Sequence, residues 1–258
     1  MSTRVRLDDA LVARGLVPSV DRARAEIAAG NVLVDERPGV RGPAKASDRV
    51  GPDQVLRLRE QPHRFVSRGG LKLEAALDRW RVDVAGRVVA DLGASTGGFT
   101  DCLLQRGAQR VYAVDVGTNQ LAWKLRQDPR VVVLERTDAR DVVLPEALTL
   151  VVGDVSFISL ARILPAVARL LTFGIGDRTQ PAEVVLLVKP QFEAPPRTLD
   201  PGGRLSDEGA RTAAVTAVLE AATNTGFVVA GQMDSPVPGA RAGNVEVLVW
   251  LTLAAGAR

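Results

Sequence analysis

Val88-Val-Ala-Asp-Leu-Gly-Ala-Ser-Thr-Gly-Gly-Phe-Thr-Asp101 is the stretch that decides the fold. A short apolar run ends in an acid, turns through glycines and enters a segment with helical periodicity. The pattern predicts a strand, a tight loop and a helix start, which lets backbone approach a nucleotide-like ligand. The glycines do not spell G-x-G-x-x-G, because Gly93 is followed by Ala94-Ser95-Thr96 before Gly97-Gly98. A dinucleotide needs that spacing so that its pyrophosphate can sit on the helix N-terminus. This loop instead offers hydroxyls, carries acid on both flanks and has no phosphate-binding lysine. It suits a ligand with a cationic centre and an amino-acid end, such as S-adenosylmethionine.

Outward from the loop, apolar runs at 88–92, 111–115, 131–134, 148–152 and 184–189 alternate with helical segments. That alternation argues for a parallel sheet covered on both faces. The last runs, 227–230 and 245–253, have no full helix between them and read as an antiparallel pair at one edge. Such an edge marks a methyltransferase-type sheet. The expected class is α/β, Rossmann-like, and its ligands lie beyond the carboxyl ends of the strands.

Polar residues at those ends are therefore the candidates. Asp115 stands where an acid accepts hydrogen bonds from ribose hydroxyls, and Asp138 where one holds an adenine amino group. Asp154 follows the fourth run in Gly153-Asp-Val-Ser-Phe-Ile-Ser159, and Lys189 ends the fifth in Leu186-Leu-Val-Lys-Pro-Gln-Phe-Glu193. Any one acid is as readily a cap or turn residue; four polar strand ends in register are harder to dismiss. A lysine closing an apolar strand is costly to bury unless paired. Asp154 is its expected neighbour.

The first quarter of the chain is different. Residues 1–68 hold 13 Lys/Arg against 9 Asp/Glu, the remainder 20 against 21, so the net charge of +3 comes wholly from the N-terminal part. Residues 5–29 read as two short helices interrupted at Gly15, with Ser19 as a cap and a basic second helix. Strands are expected at 31–34 and 55–58, and loop and turn over 35–52. A small basic domain suggests a polyanion partner, although a solvated charged face would look similar.

Composition narrows the classes. The hydrophobic fraction is 46% with aromatics at 4%, so the core rests on Val, Leu and Ala. Cys102 is the only cysteine and His63 the only histidine, which excludes a disulfide framework and a Cys/His zinc site within one chain. Cys102 reads as a packed small hydrophobe. No run approaches the roughly 18 apolar residues of a bilayer span, and Met-Ser-Thr-Arg-Val-Arg has no signal-peptide segment behind it. The expected location is cytoplasmic.

Two resemblances extend this reading. Arg6-Leu-Asp-Asp-Ala-Leu11, Gly15-Leu-Val-Pro-Ser19, Arg22-Ala-Arg-Ala-Glu-Ile27 and Gly30-Asn-Val-Leu-Val34 resemble the small RNA-binding domain named after ribosomal small-subunit protein four. That resemblance implies phosphate contacts from Arg6, Arg22, Arg24 and Arg37, which position a protein without reading sequence. Phe65-Val-Ser-Arg-Gly-Gly-Leu-Lys-Leu-Glu-Ala-Ala-Leu77, the 93–101 loop, Val114-Asp-Val-Gly117, Asp154–Leu160, Lys189–Glu193, Ser235-Pro-Val-Pro-Gly239 and Gly243-Asn-Val-Glu246 are similar to the TlyA (hemolysin A-like) ribosomal RNA methyltransferases, within the FtsJ-like group.

The second resemblance implies an S-adenosylmethionine-dependent cytidine 2′-O-methyltransferase acting on small- and large-subunit ribosomal RNA. It implies a catalytic set of Lys72, Asp154, Lys189 and Glu246. Cofactor-binding candidates are Asp91, Gly93, Ser95, Thr96, Gly97, Gly98, Phe99, Asp115 and Asp138, and no metal is expected. The expected organisation is an α+β RNA-binding domain over 1–60, a linker over 61–70 and a class I methyltransferase domain over 71–258. Residues 195–209, rich in Pro, Gly and charge, read as a mobile loop bordering the site. Other readings are a different structured RNA as substrate, an RNA-binding module without catalysis, and a membrane-active protein as the hemolysin name invites.

Overall fold

The computed structural model describes residues 4–28, 30–34, 45–58, 64–172, 182–239 and 243–253. The chain divides into two compact units, Met1–Ser67 and Arg68–Arg258.

The first unit contains β1 (Val5–Arg6), α1 (Leu7–Ala13), α2 (Val20–Ala28), β2 (Val32–Val34), β3 (Arg49–Val50) and β4 (Leu56–Leu58). Its two helices are those the sequence suggests. β1 pairs antiparallel with β3, and β2 with β4. The β3 strand falls inside 35–52, expected as loop and turn; a two-residue pairing is too short to leave a period in the sequence. Leu7, Leu11, Ala23, Ile27, Val32 and Leu56 form a separate small core.

The second unit continues through α3 (Gly69–Trp80), β5 (Val88–Leu92), α4 (Gly98–Gln105), β6 (Arg110–Val114), α5 (Trp123–Arg126), β7 (Val131–Leu134), β8 (Leu150–Gly153) and α6 (Leu164–Thr172). It ends with β9 (Glu183–Val188), α7 (Pro190–Glu193), α8 (Glu208–Asn224), β10 (Phe227–Asp234) and β11 (Val247–Leu253). The seven strands lie in the order β10-β11-β9-β8-β5-β6-β7. β5 to β9 are mutually parallel, while β11 runs antiparallel to both β9 and β10. The final pair is thus antiparallel as expected, with the last strand inserted inside the edge.

β9 is buried along its whole length, as its unbroken Glu183-Val-Val-Leu-Leu-Val188 run requires of a strand covered on both faces. One expected crossover helix is missing: residues 135–149, between β7 and β8, form turns and loop. The order reverses beside β5, where β6 and β8 flank it on opposite sides. Loops after such neighbours diverge and leave a crevice at the carboxyl edge.

Candidate active site

The loop after β5 is built by close backbone approach. Gly93 has φ +81°, and a Cβ there would stand 2.9 Å from the Asp154 carbonyl oxygen. Only glycine lets the loops after β5 and β8 touch. Their contact is completed by Asp154 N–H donating to Leu92 O (2.9 Å).

The cofactor candidates separate by depth. Gly93, Ser95 and Thr96 reach the surface, whereas Asp91, Gly97, Gly98 and Phe99 are buried. Asp91 accepts the Thr100 hydroxyl (2.6 Å) at Oδ2, and its Oδ1 has no partner. Burial drives its pKa up to about 7; Thr100 opposes the rise, and the nearby Asp154 and Asp115 charges add to it. Asp115 follows β6 and accepts Ser95 N–H (2.8 Å) and Gly117 N–H (2.7 Å), which fixes both carboxylate oxygens at the mouth of a cleft. Ser95, Gln120, Leu121 and Glu135 also line that cleft. Val116 beside it is exposed, an apolar surface at the cleft rim that the sequence reading missed. Asp138 is clasped by Arg140 through Nε (3.0 Å) and Nη2 (2.6 Å), which hold its carboxyl down at about 2. Cys102 is fully buried inside α4.

Four further residues form two ion pairs at the carboxyl edge. Lys72 lies on the buried stripe of α3 with Leu73, Ala76 and Leu77, and its Nζ meets Glu246 Oε2 at 2.5 Å. Both are buried, at 7% and 3% exposure, so neither charge is left to water. Lys189 Nζ lies 2.6 Å from Asp154 Oδ1 and donates to Ser156 Oγ (2.6 Å). The pairs lie at adjoining strand ends: Val247 faces Val188 at the last step of the antiparallel ladder, and Glu246 and Lys189 are the next residues outward on the two chains. Gly239 packs against this cluster, because a Cβ there would stand 2.8 Å from Glu246 Oε1.

Two aromatic rings complete the edge. Phe157 is 74% exposed and has φ +66°. Its ring lies tilted at 46° against Phe192, centroids 5.0 Å apart, and the Phe192 ring lies 6.0 Å from Lys189 Nζ. A non-glycine residue held at positive φ is a strained position of the kind concentrated at sites. Ser156, Phe157 and Phe192 were absent from the sequence-derived set, although each stands in a motif beside a chosen residue.

In the N-terminal unit, Arg6 donates to Asp8 through Nε (2.9 Å) and Nη2 (2.7 Å), and Arg24 joins it through Nε (3.1 Å). The Arg6 guanidinium is the main cause that holds the buried Asp8 carboxyl down at about 2. Arg22 pairs with Glu26 one turn along α2 instead. Arg37 lies outside the described residues.

A model of FtsJ-like methyltransferases matches residues 65–253. The chain belongs to the FtsJ-like methyltransferase family. Within it, the 16S/23S rRNA (cytidine-2′-O)-methyltransferase TlyA of Mycobacterium tuberculosis is 46% identical over 97% of this chain and 91% of its own length. Hemolysin A of Brachyspira hyodysenteriae is 38% identical over 95% of this chain and 98% of its own. A solved Streptococcus thermophilus structure with a provisional hemolysin name superimposes with a TM-score of 0.71 at 38% identity, over 98% of this chain and 90% of that one. The matched residues include the whole seven-stranded sheet and both ion pairs. Among the described residues no helix is long and apolar enough to cross a membrane, and no cluster of His, Cys, Asp and Glu could hold a metal ion.

Proposed function

We propose that this FtsJ-like protein transfers a methyl group from S-adenosylmethionine to the ribose 2′-hydroxyl of cytidine in ribosomal RNA. Lys72, Asp154, Lys189 and Glu246 are its catalytic set. The observation that carries the reading is the pairing of two ammonium and two carboxylate groups on adjoining strand ends beside the Gly93 loop. The substrate follows the TlyA relative, matched over nearly its whole length.

The donor set fits the cofactor. Asp115 carries a fixed carboxylate suited to ribose hydroxyls, exposed Val116 offers an apolar rest for a purine, and the carboxylates at 115 and 154 favour a cation. Asp91, being buried, shapes the loop through Thr100 rather than touching the ligand. When bound, the cofactor supplies an electrophilic methyl on a sulfonium.

A ribose hydroxyl is a poor nucleophile, so the protein has to place it and handle its proton. The Lys189 ammonium steadies the developing negative charge on oxygen, and the hydroxyl proton passes to water as the bond to the methyl carbon forms. Asp154 and Ser156 hold the Lys189 ammonium in place. Lys72 adds positive potential, and Glu246 fixes Lys72 while offsetting a second buried charge. Exposed Phe157, tilted against half-buried Phe192, presents an aromatic face on which an unstacked base can lie. Most of the acceleration comes from orienting the 2′-oxygen in line with the methyl carbon.

Arg6 and Arg24 of the N-terminal unit are proposed to contact RNA phosphates, with Asp8 fixing their direction. Arg22, drawn to Glu26, contributes less. The test is incubation with unmodified ribosomal subunits and labelled cofactor, then mapping of 2′-O-methylated positions. Label in cytidine riboses supports the reading, and label in protein or DNA removes it. Lys189→Ala should abolish transfer while cofactor affinity, read by calorimetry, changes less than about threefold. Normal turnover in that variant would take Lys189 out of the chemistry.

A further inference from the structure

The segment leaving the catalytic edge carries charge that the chemistry does not use. α7, capped by Lys189, leads into residues 195–207, most of the 195–209 stretch whose composition suggested a mobile loop. The structure ties it down instead. Asn244, 6% exposed, donates Nδ2 to Gly203 O (3.0 Å) and accepts Leu205 N–H at Oδ1 (2.8 Å), so both ends of its amide hold the strap. Its own carbonyl accepts Gly239 N–H (2.9 Å). Leu205 packs with Ala194 and Ala214 in a small core. Asn244 precedes Glu246 by two residues, so the strap is fastened to the segment that delivers a catalytic carboxylate.

The strap's acids are occupied. Asp200 accepts the Ser206 hydroxyl, and Asp207 accepts Ala210 N–H (2.7 Å) as the cap of α8. Its two cations are not: Arg197 and Arg204 are exposed and make no ion pair among the described residues. Four cations of the cleft and catalytic edge, in contrast, are engaged, Lys72 by Glu246, Lys189 by Asp154, Lys124 by Asp101 and Arg140 by Asp138, while Arg136 and Arg162 make no ion pair among the described residues.

We infer that residues 195–207 form a fixed phosphate grip, in which Arg197 and Arg204 hold the RNA backbone flanking the reacting nucleotide and Asn244 keeps the strap in position. The inference rests on the proposed RNA substrate. The pinned backbone has little freedom left to lose on binding, so only the two guanidinium side chains are ordered when they set the register of the strand. No closing motion is needed.

The test uses the full chain, unmodified ribosomal subunits and labelled cofactor, with KM for subunits measured across salt concentrations. Arg197→Gln/Arg204→Gln should raise KM about tenfold and lower the salt slope by about one per lost contact, the loss falling on KM more than on kcat. Arg79→Gln is a control that removes one charge remote from the strap, since Trp80 beside it stacks on Trp250 near the opposite edge of the sheet. It should shift neither quantity. A double variant that behaves like Arg79→Gln overturns the inference. Asn244→Ala keeps both cations and should still raise KM severalfold; unaltered KM there overturns the positioning role. If the unaltered protein fails to methylate subunits, the substrate reading falls, and that failure is visible before any variant is compared.

Discussion

A buried ammonium with a single carboxylate partner is a point at which chemistry and stability share one contact. Glu246→Ala strands the Lys72 charge inside the protein and should destabilise the second unit by about 3–5 kcal/mol, read by denaturant unfolding. Lys72→Met/Glu246→Leu removes both charges and should recover most of that loss while remaining inactive, separating the catalytic need for charge from the need for fold. Asp91 predicts a pH dependence whose sign follows from its raised pKa. Between about 4 and about 7 the native state holds a proton on Asp91 that the unfolded state has released. Its contribution to stability is therefore greatest at low pH and declines as pH rises through that window. Asp91→Asn should flatten the fall in thermal midpoint between pH 5 and pH 8; an unchanged pH profile would show that Asp91 ionises normally.

At the scale of elements, the contact between the loops after β5 and β8 is the tightest constraint on the site. Gly93→Ala meets both a left-handed backbone and the Asp154 carbonyl. It should cost about 1–2 kcal/mol for the backbone alone. Asp154 should move away from Lys189, lowering kcat by at least about tenfold, measured against cofactor affinity on the same sample. How far these elements can be read in advance differs from one to another. β5 and β7 are legible residue for residue, because an apolar run bounded by turn signals leaves few alternatives. β3 is not, since two residues carry no period. The missing helix over 135–149 shows the limit of alternation, which predicts a crossover without fixing what the crossover is made of.

For the molecule as a whole, two units with separate cores should fail separately. Leu11→Ala empties a fully buried position of the N-terminal core and should cost that unit about 2–5 kcal/mol. Methyl transfer to subunits should weaken through KM, while cofactor binding by the second unit stays as it was. Loss of cofactor affinity in that variant would contradict independent units.

The sequence by itself determined the alternating α/β plan, the glycine loop and the acids at the strand ends, because those depend on local period and turn chemistry. The carboxyl-edge candidates Asp115, Asp154 and Lys189 were legible for the same reason. Asp154 was already the expected neighbour of Lys189, and only tertiary structure decided that Lys72 meets Glu246. Lys72 and Glu246 lie 174 residues apart, and their contact depends on α3 packing against β11, while the register between β9 and β11 brings Glu246 to the strand end that carries Lys189. No local pattern encodes a register between strands joined through a long helix and an edge strand; it is set by packing across the completed sheet. The strap over 195–207 makes the same point: its composition alone reads as a mobile loop, and the buried amide of Asn244 fixes it.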